Sequence, residues 1–390
     1  MIPEHPNSRS DAIAKIGDIA AAAGMRRIHV LAWRDLADVE AGGSELHAAT
    51  VAHLWAEAGL EVTMRTSYAQ GSPPESVRNG YHVVRRAGRY MVFPRGVLAE
   101  MAGRHGERDA LVEIWNGVPW LTPLWARGPK VTWLHQYHGD MWRMVLPPNL
   151  ARMGEVLERR IAPPLYRGQR IITLSESARE ELIDRLHLHR DHISVVPPGI
   201  NPRFSPGGDR SPAPLVVAVG RLMPVKRFDL LITAMAGVRS RVPGAQLVIV
   251  GEGAERERLE DLVERLDATE WVSLPGHVSD AELVDLYRHA WLVASASAAE
   301  GWGMTITEAA ACGTPAVVTD IGGHRDAVVP DVTGVLAAPD RLGAEIDAVL
   351  RDPARRQRLG SAALARAATF TWEATAAGTL AVLAAEARRR

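Results

Sequence analysis

Two carboxylates, Glu300 and Glu308, stand in the stretch richest in chemistry, LVASASAAEGWGMTITEAAACGTPAVVTDI over residues 292–321. The letters read as an apolar strand over Leu292 to Ser295, a glycine-bearing loop opening with Glu300, a helix from near Met304 carrying Glu308, and a second strand after Gly313 and Pro315. Gly301 and Gly303 let a backbone approach a ligand without a Cβ in the way. The helix that follows points its unpaired N–H groups into the same space, and such an end attracts anions. Both carboxylates can then accept hydroxyls while the amides hold phosphate, an arrangement that suits a sugar nucleotide.

A second cluster lies at V-G-R-L-M-P-V-K-R-F-D, after the apolar run Leu215 to Val219. Gly220 allows the turn, and Arg221 and Lys226 put two cations at a helix entrance. Basic residues there oppose the helix dipole, so a helix-stabilising role is a poor explanation for them. A departing diphosphate gains negative charge as its bond breaks, and fixed cations stabilise that charge more in the transition state than in the ground state. Histidines supply a third group. His135 follows the strand Val131 to Leu134, and His138 comes three positions on, where a strand-end geometry turns the two to different faces. No D-x-D occurs in the chain, so the usual carboxylate pair for a nucleotide-bound divalent ion is missing and no metal site is expected.

With these residues in view, E-G-W-G-M-T-I-T-E resembles the E-x7-E signature of the family-4 retaining glycosyltransferases of the GT-B fold, and A-C-G-T-P-A-V-V continues it. The resemblance covers roughly residues 25–385. It implies that Glu300 touches the hydroxyls of a donor sugar and Glu308 the ribose of its nucleotide. The glycine loop at Gly301 and the amides of Gly303, Met304 and Thr305 would hold the sugar or diphosphate. The Arg221 and Lys226 element is similar to the family's G-R-x-x-x-x-K, and Gly42-Gly43 to its glycine-rich loop near the diphosphate. His135 matches the histidine the family places beside the transferring sugar, with His138 and Asn116 as secondary, acceptor-side candidates. His277 and Val278, in P-G-H-V-S-D, fall where the family reads the base through its main chain. V-V-P-P-G-I-N-P-R-F is similar to the interdomain hinge, with Pro198 where asparagine is commoner.

The implied reaction is a metal-independent, retaining transfer of a hexosyl group from a nucleoside-diphosphate sugar (UDP or GDP) to an acceptor hydroxyl, with no cofactor. Departure of the diphosphate gives an oxocarbenium-like sugar, and the acceptor attacks the same face. Two alternatives stay open: a sugar-nucleotide 2-epimerase of the same architecture, and a catalytically inactive nucleotide-sugar binding protein.

The elements that must position these residues alternate strand, turn and helix, which means doubly wound parallel sheets. Strands are expected at Ile28 to Ala32, Glu61 to Thr66, Tyr81 to Arg85, Asp109 to Ile114, Arg170 to Leu174, His192 to Val196, Gln246 to Val250, Trp271 to Leu274 and Val335 to Ala337. Helices are expected from Gly43, with Ser44 as its cap, near Arg95 to His105, over Arg152 to Leu165 with Pro163-Pro164 as its stop, and over Asp280 to His289. In such sheets ligands bind beyond the carboxyl ends of the strands.

Residues 1–24 read as a helical extension, 25–198 as an acceptor-side Rossmann-like domain and 199–213 as a linker, since Pro197 to Pro214 holds six prolines and three glycines. A donor-side Rossmann-like domain follows over 214–369. The segment 370–390, with Phe370-Thr371-Trp372, resembles the family's final helix returning to the first domain.

A chain of 390 residues with 47% apolar content supplies two cores, and a net charge of −1 argues against a nucleic-acid partner. One cysteine excludes an internal disulfide. No run of 18 apolar residues exists, and the N-terminal stretch lacks the order of a signal peptide, so a cytoplasmic protein is expected. Residues 85–170 carry 14 Lys or Arg against 7 Asp or Glu. That excess could draw an anionic acceptor or a membrane surface, making a peripheral location the corollary.

Overall fold

The structure, a computed structural model, describes residues 6–389. They form two compact units, one up to residue 199 together with the residues from 371 on, the other residues 200–370. Each unit has its own parallel sheet.

In the first unit the strands are β1 (Arg27–Leu31), β2 (Glu61–Thr66), β3 (Glu75–Arg78), β4 (Tyr81–Arg85), β5 (Ala110–Ile114), β6 (Lys130–Trp133), β7 (Arg170–Thr173) and β8 (Ile193–Val195). Their order in the sheet is β3-β4-β2-β1-β5-β6-β7-β8. Neighbours are parallel except β3, which pairs antiparallel with β4. This edge hairpin was not expected. Its turn is Asn79-Gly80, with φ of 46° and 89°, the residue pair that a two-residue hairpin turn of positive φ favours.

The second unit holds β9 (Leu215–Val219), β10 (Gln246–Val250), β11 (Val272–Gly276), β12 (Leu292–Ser295), β13 (Ala316–Thr319) and β14 (Gly334–Ala337). Their order, β11-β10-β9-β12-β13-β14, has every neighbouring pair parallel. It is the doubly wound order that reverses direction between its first strand, β9, and its fourth, β12. Strands covered on both faces read as unbroken apolar runs, which is why Leu-Val-Val-Ala-Val and Leu-Val-Ile-Val do not alternate. Val216, Val217, Leu247 and Ile249 are fully buried. Each such side chain contributes about 1.5–3 kcal/mol relative to exposure.

Two expectations about where helices run change. The helix after Met91 runs Val92–Met101, earlier than Arg95 to His105. The Pro163-Pro164 pair does not stop a helix. Pro148–Val156 passes through a wide π turn at Leu157–Ile161 into Ala162–Tyr166, with the prolines in its first turn. Proline lacks an N–H and its ring crowds the carbonyl four residues back, and the wider turn accommodates both defects without breaking the rod.

The last helix, Trp372–Arg388, belongs to the first unit. The buried Trp55 indole donates to Ala376 O at 3.0 Å and fixes it there. The N-terminal extension is a helix over Pro6–Ala22 packed on that last helix, and residues 1–5 of the expected extension lie outside the described residues. Gly199 shows how close the chain passes: a Cβ there would stand 2.2 Å from Trp372 N.

Candidate functional site

In the second unit the reversal of strand order sets the loop after β9 beside the loop after β12. The β9 loop carries Gly220, the exposed Arg221, and a 3-10 turn over Pro224–Lys226. The β12 loop carries Glu300, Gly301 and Gly303. Lys226 Nζ and Glu300 Oε1 form an ion pair across the reversal. Ser297 Oγ donates to the same carboxylate oxygen at 2.9 Å. Burial alone would push the Glu300 carboxyl up, but the Lys226 ammonium, with His324 and Ser297 nearby, holds it below its ordinary value. The resting site therefore keeps an ionised carboxylate and its cation in contact.

The tight turn G-E-G at 251–253 supports this loop from the side. A Cβ on Gly251 would stand 2.1 Å from Gly220 O, and one on Gly253 2.4 Å from Leu222 O. These glycines serve backbone packing and leave the Gly220–Lys226 segment in place. Gly303 has φ +97° and caps the helix Met304–Ala311. Only glycine adopts that backbone freely. Met304 and Thr305 are the first residues of the helix, so their N–H groups lack intrahelical acceptors.

Glu308, half-buried on the same helix, accepts from Tyr287 Oη at 3.3 Å. Burial pushes its carboxyl up to about 7, against the Tyr287 hydrogen bond and the charge of Arg203. At the end of β11, His277 is exposed and Val278 half-buried, just before Ser279 caps the helix Asp280–His289.

In the first unit the corresponding reversal lies between β1 and β5. The helix Gly43–Glu57 starts with Gly42 as its cap, and the Glu45 carboxylate accepts from Gly42 N–H at 2.8 Å. Ser44 is thus not the cap. Its Oγ lies 3.1 Å from His135 Nδ1, because a glycine cap with a glutamate three residues on frees the serine to reach across to β6. His135 is pushed down to about 4 by burial and is neutral. His47, one turn along the helix, is buried against Trp133 and His135, with ring centroids 4.9 Å away in each case. Asn116 Oδ1 sits 3.1 Å from His138 Nε2.

Glu158, carried inward by the π turn and fully buried, accepts from His138 N–H at 2.9 Å, Gly139 N–H at 3.2 Å and the Trp142 indole at 2.9 Å. Glu158 thereby sets the loop that holds His138.

The sequence reading missed Ser297, His324, Tyr287, His47 and Glu158. A helical count would have placed His47 one turn from Gly43; packing alone brings Ser297, His324 and Tyr287 to the Glu300–Glu308 stretch of the second unit and Glu158 to the His138 loop of the first. Among the described residues no three His, Cys, Asp or Glu side chains converge as metal ligands.

Two family models match the chain in succession, Glycosyltransferase Family 4 over residues 41–204 and Glycosyl transferases group 1 over residues 204–366. The D-inositol 3-phosphate glycosyltransferase of Segniliparus rotundus is 31% identical, over 91% of this chain and 87% of that one. The chain belongs to the family-4 glycosyltransferases of the GT-B fold. The enzyme of the same name from Kineococcus radiotolerans is also 31% identical to this glycosyltransferase, over 88% of the chain and 90% of its own length.

Among solved structures, sucrose-phosphate synthase from Thermosynechococcus elongatus superposes with a TM-score of 0.77 at 22% identity, covering 90% of this chain and 96% of its own. Anabaena HepE, solved in complex with UDP and glucose, gives 0.68 at 20% identity, over 91% and 97%. At those identities the likeness is one of fold. Among the described residues of this glycosyltransferase no helix is long and apolar enough to cross a membrane.

Proposed function

We propose that this glycosyltransferase moves a hexosyl group from a nucleoside-diphosphate sugar to an acceptor hydroxyl, with retention of anomeric configuration and without a divalent metal. The observation that carries the reading is the Lys226–Glu300 ion pair at the strand-order reversal of the second unit. An arriving diphosphate competes for the ammonium and frees the carboxylate to accept sugar hydroxyls. The first residues of the helix Met304–Ala311 supply N–H groups for the remaining phosphate or sugar oxygens. Glu308 takes the ribose, and His277 and Val278 lie by the base.

As the bond from the anomeric carbon to the phosphate oxygen breaks, its electron pair stays on the diphosphate. Lys226 and Arg221 stabilise that charge. The acceptor oxygen then bonds to the same face of the sugar, and its proton passes to a leaving phosphate oxygen. His135, neutral and held by Ser44, is the member of the set that can hydrogen-bond without adding charge. No residue of the set calls for a metal ion, since the two cations perform its electrostatic task.

His138, Asn116 and the loop on Glu158 form the acceptor side. An anionic polyol is the acceptor class we favour. The relatives named above carry an inositol phosphate in their names, and the 85–170 segment is basic. The exposed Leu98 and Met101 beside Arg95 and Arg104 support a cytoplasmic protein that lodges on anionic lipid.

The test is incubation with UDP-, GDP- and ADP-sugars in EDTA, with and without polyol phosphates, followed by NMR of the product anomer. A product of inverted configuration, or dependence on an added divalent ion, overturns the reading. A donor epimerised with no acceptor present favours the 2-epimerase, although both relatives named above are glycosyltransferases by name.

A further inference from the structure

His324 follows Gly322-Gly323 at the start of the helix Gly322–Ala327 and is fully buried. Its Nδ1 lies 2.7 Å from Thr319 O. A carbonyl only accepts, so Nδ1 carries the hydrogen and Nε2 holds the lone pair. That Nε2 is buried and has no hydrogen-bond partner, a condition protein interiors seldom leave without a reason.

The ring belongs to the framework of the Glu300 loop. Gly323 N–H donates to Glu300 O at 3.2 Å. A Cβ on Gly323 would stand 2.5 Å from that oxygen and 2.7 Å from Trp302 N, so the loop rests directly on the residue before the histidine. Thr319, whose carbonyl holds the ring, donates its hydroxyl to Ser297 O at 2.6 Å. Ser297 in turn holds the Glu300 carboxylate.

Two charged groups act on the imidazole. Glu300, from the loop, favours its protonated form, and Lys226, from the 3-10 turn, opposes it; burial keeps it neutral at rest. Of the charged residues near it in sequence, Arg325 and Asp320 are paired with each other at 2.6 Å.

We propose that His324 is a positioning residue that becomes the counterion of Glu300 when Lys226 turns to the diphosphate of an arriving nucleotide. The inference rests on the donor-site reading above. One proton from solvent adds to the Nε2 lone pair, Nδ1–H stays on Thr319 O, and no bond of the ligand is broken. The carboxylate keeps a cationic partner at each stage: the ammonium before binding, then the imidazolium once the ammonium, with Arg221, faces the diphosphate. Glu300 thereby stays ionised, and able to accept sugar hydroxyls, after its resting partner has left. A neutral side chain at 324 would leave it a half-buried carboxylate with Ser297 as its remaining side-chain donor.

The experiment is titration calorimetry of the full chain with UDP, GDP and ADP near pH 7, in phosphate and in Tris. The dependence of apparent enthalpy on the ionisation enthalpy of the buffer counts protons taken up. The wild type should take up about one proton more per bound nucleotide than His324→Asn. Asparagine keeps an N–H for Thr319 O but has no equivalent of Nε2, and the titration of Glu308 is common to both proteins and cancels. Equal uptake overturns the proposal. Should His324→Asn not fold, the 1H–15N spectrum of the wild type decides: Nε2 gaining a proton on nucleotide binding supports it, and a bare Nε2 in the complex overturns it. Failure of all three nucleotides to bind removes the donor-site reading itself, a result distinct from binding without proton uptake.

Discussion

Lys226 and Glu300 are 74 residues apart in the chain and form an ion pair. They meet because β9 and β12 are neighbours in the sheet, with Val217 opposite Val293, and each loop leaves the same edge of its strand.

Replacing Lys226 by alanine removes the cation assigned to the leaving diphosphate. A hydrogen bond to a charged group is worth about 1.5–3 kcal/mol, so turnover should fall roughly ten- to a hundredfold, with a smaller change in nucleotide affinity. Steady-state kinetics beside calorimetry check this. Unchanged turnover would make Lys226 a structural partner of Glu300 only.

Glu308 sets a pH dependence. Its carboxyl is at about 7 in the free protein, and ribose hydroxyls favour its ionised form, so nucleotide affinity should weaken as pH falls through 7 towards 5. Glu308→Gln should flatten that profile. The folded-state value lies above the ordinary 4.5, so the ionised group costs stability above about pH 7, and the cost disappears as pH falls towards 4.5. Glu308→Gln should therefore raise Tm at pH 8, by at most about 3 kcal/mol of stability, and show a much smaller gain at pH 5, under about 1 kcal/mol. A gain that does not vary with pH would refute the assignment.

His135 and His47 are both held neutral by burial, which lowers each below its ordinary value. Folded-state depression of a base means stability present above about pH 6.5 that declines as pH falls, for His135 towards about 4. His47→Phe should reduce that acid loss, measured as Tm at pH 5 against pH 7.5. The ring resonances of His135 should stay in the neutral form at pH 5.5; a midpoint near 6.5 in an NMR titration would contradict its buried placement.

Glu158→Ala leaves two backbone N–H groups and the Trp142 indole without their acceptor. Each unsatisfied buried donor costs about 1–3 kcal/mol, so unfolding should shift to clearly lower denaturant. If His138 serves the acceptor, its KM should rise while nucleotide affinity holds. Loss of nucleotide affinity alone would separate Glu158 from acceptor handling.

The sequence by itself determined the two doubly wound sheets and the glycine and carboxylate motifs, because apolar runs, turn residues and motif spacing are local. The Asn79-Gly80 hairpin was equally legible and went unread. Pro163-Pro164 misled, since a proline pair reads as a stop until a π turn is seen to absorb it. Only the tertiary structure decided which loops meet: the strand order that sets β9 beside β12, the Tyr287 hydroxyl on Glu308, Ser44 on His135 rather than on its own helix, and His324 under the glycine loop. Those pairings depend on which strands lie side by side and on how deeply each group is buried. Both are set by long-range packing of the whole chain, and no local period in the sequence encodes them.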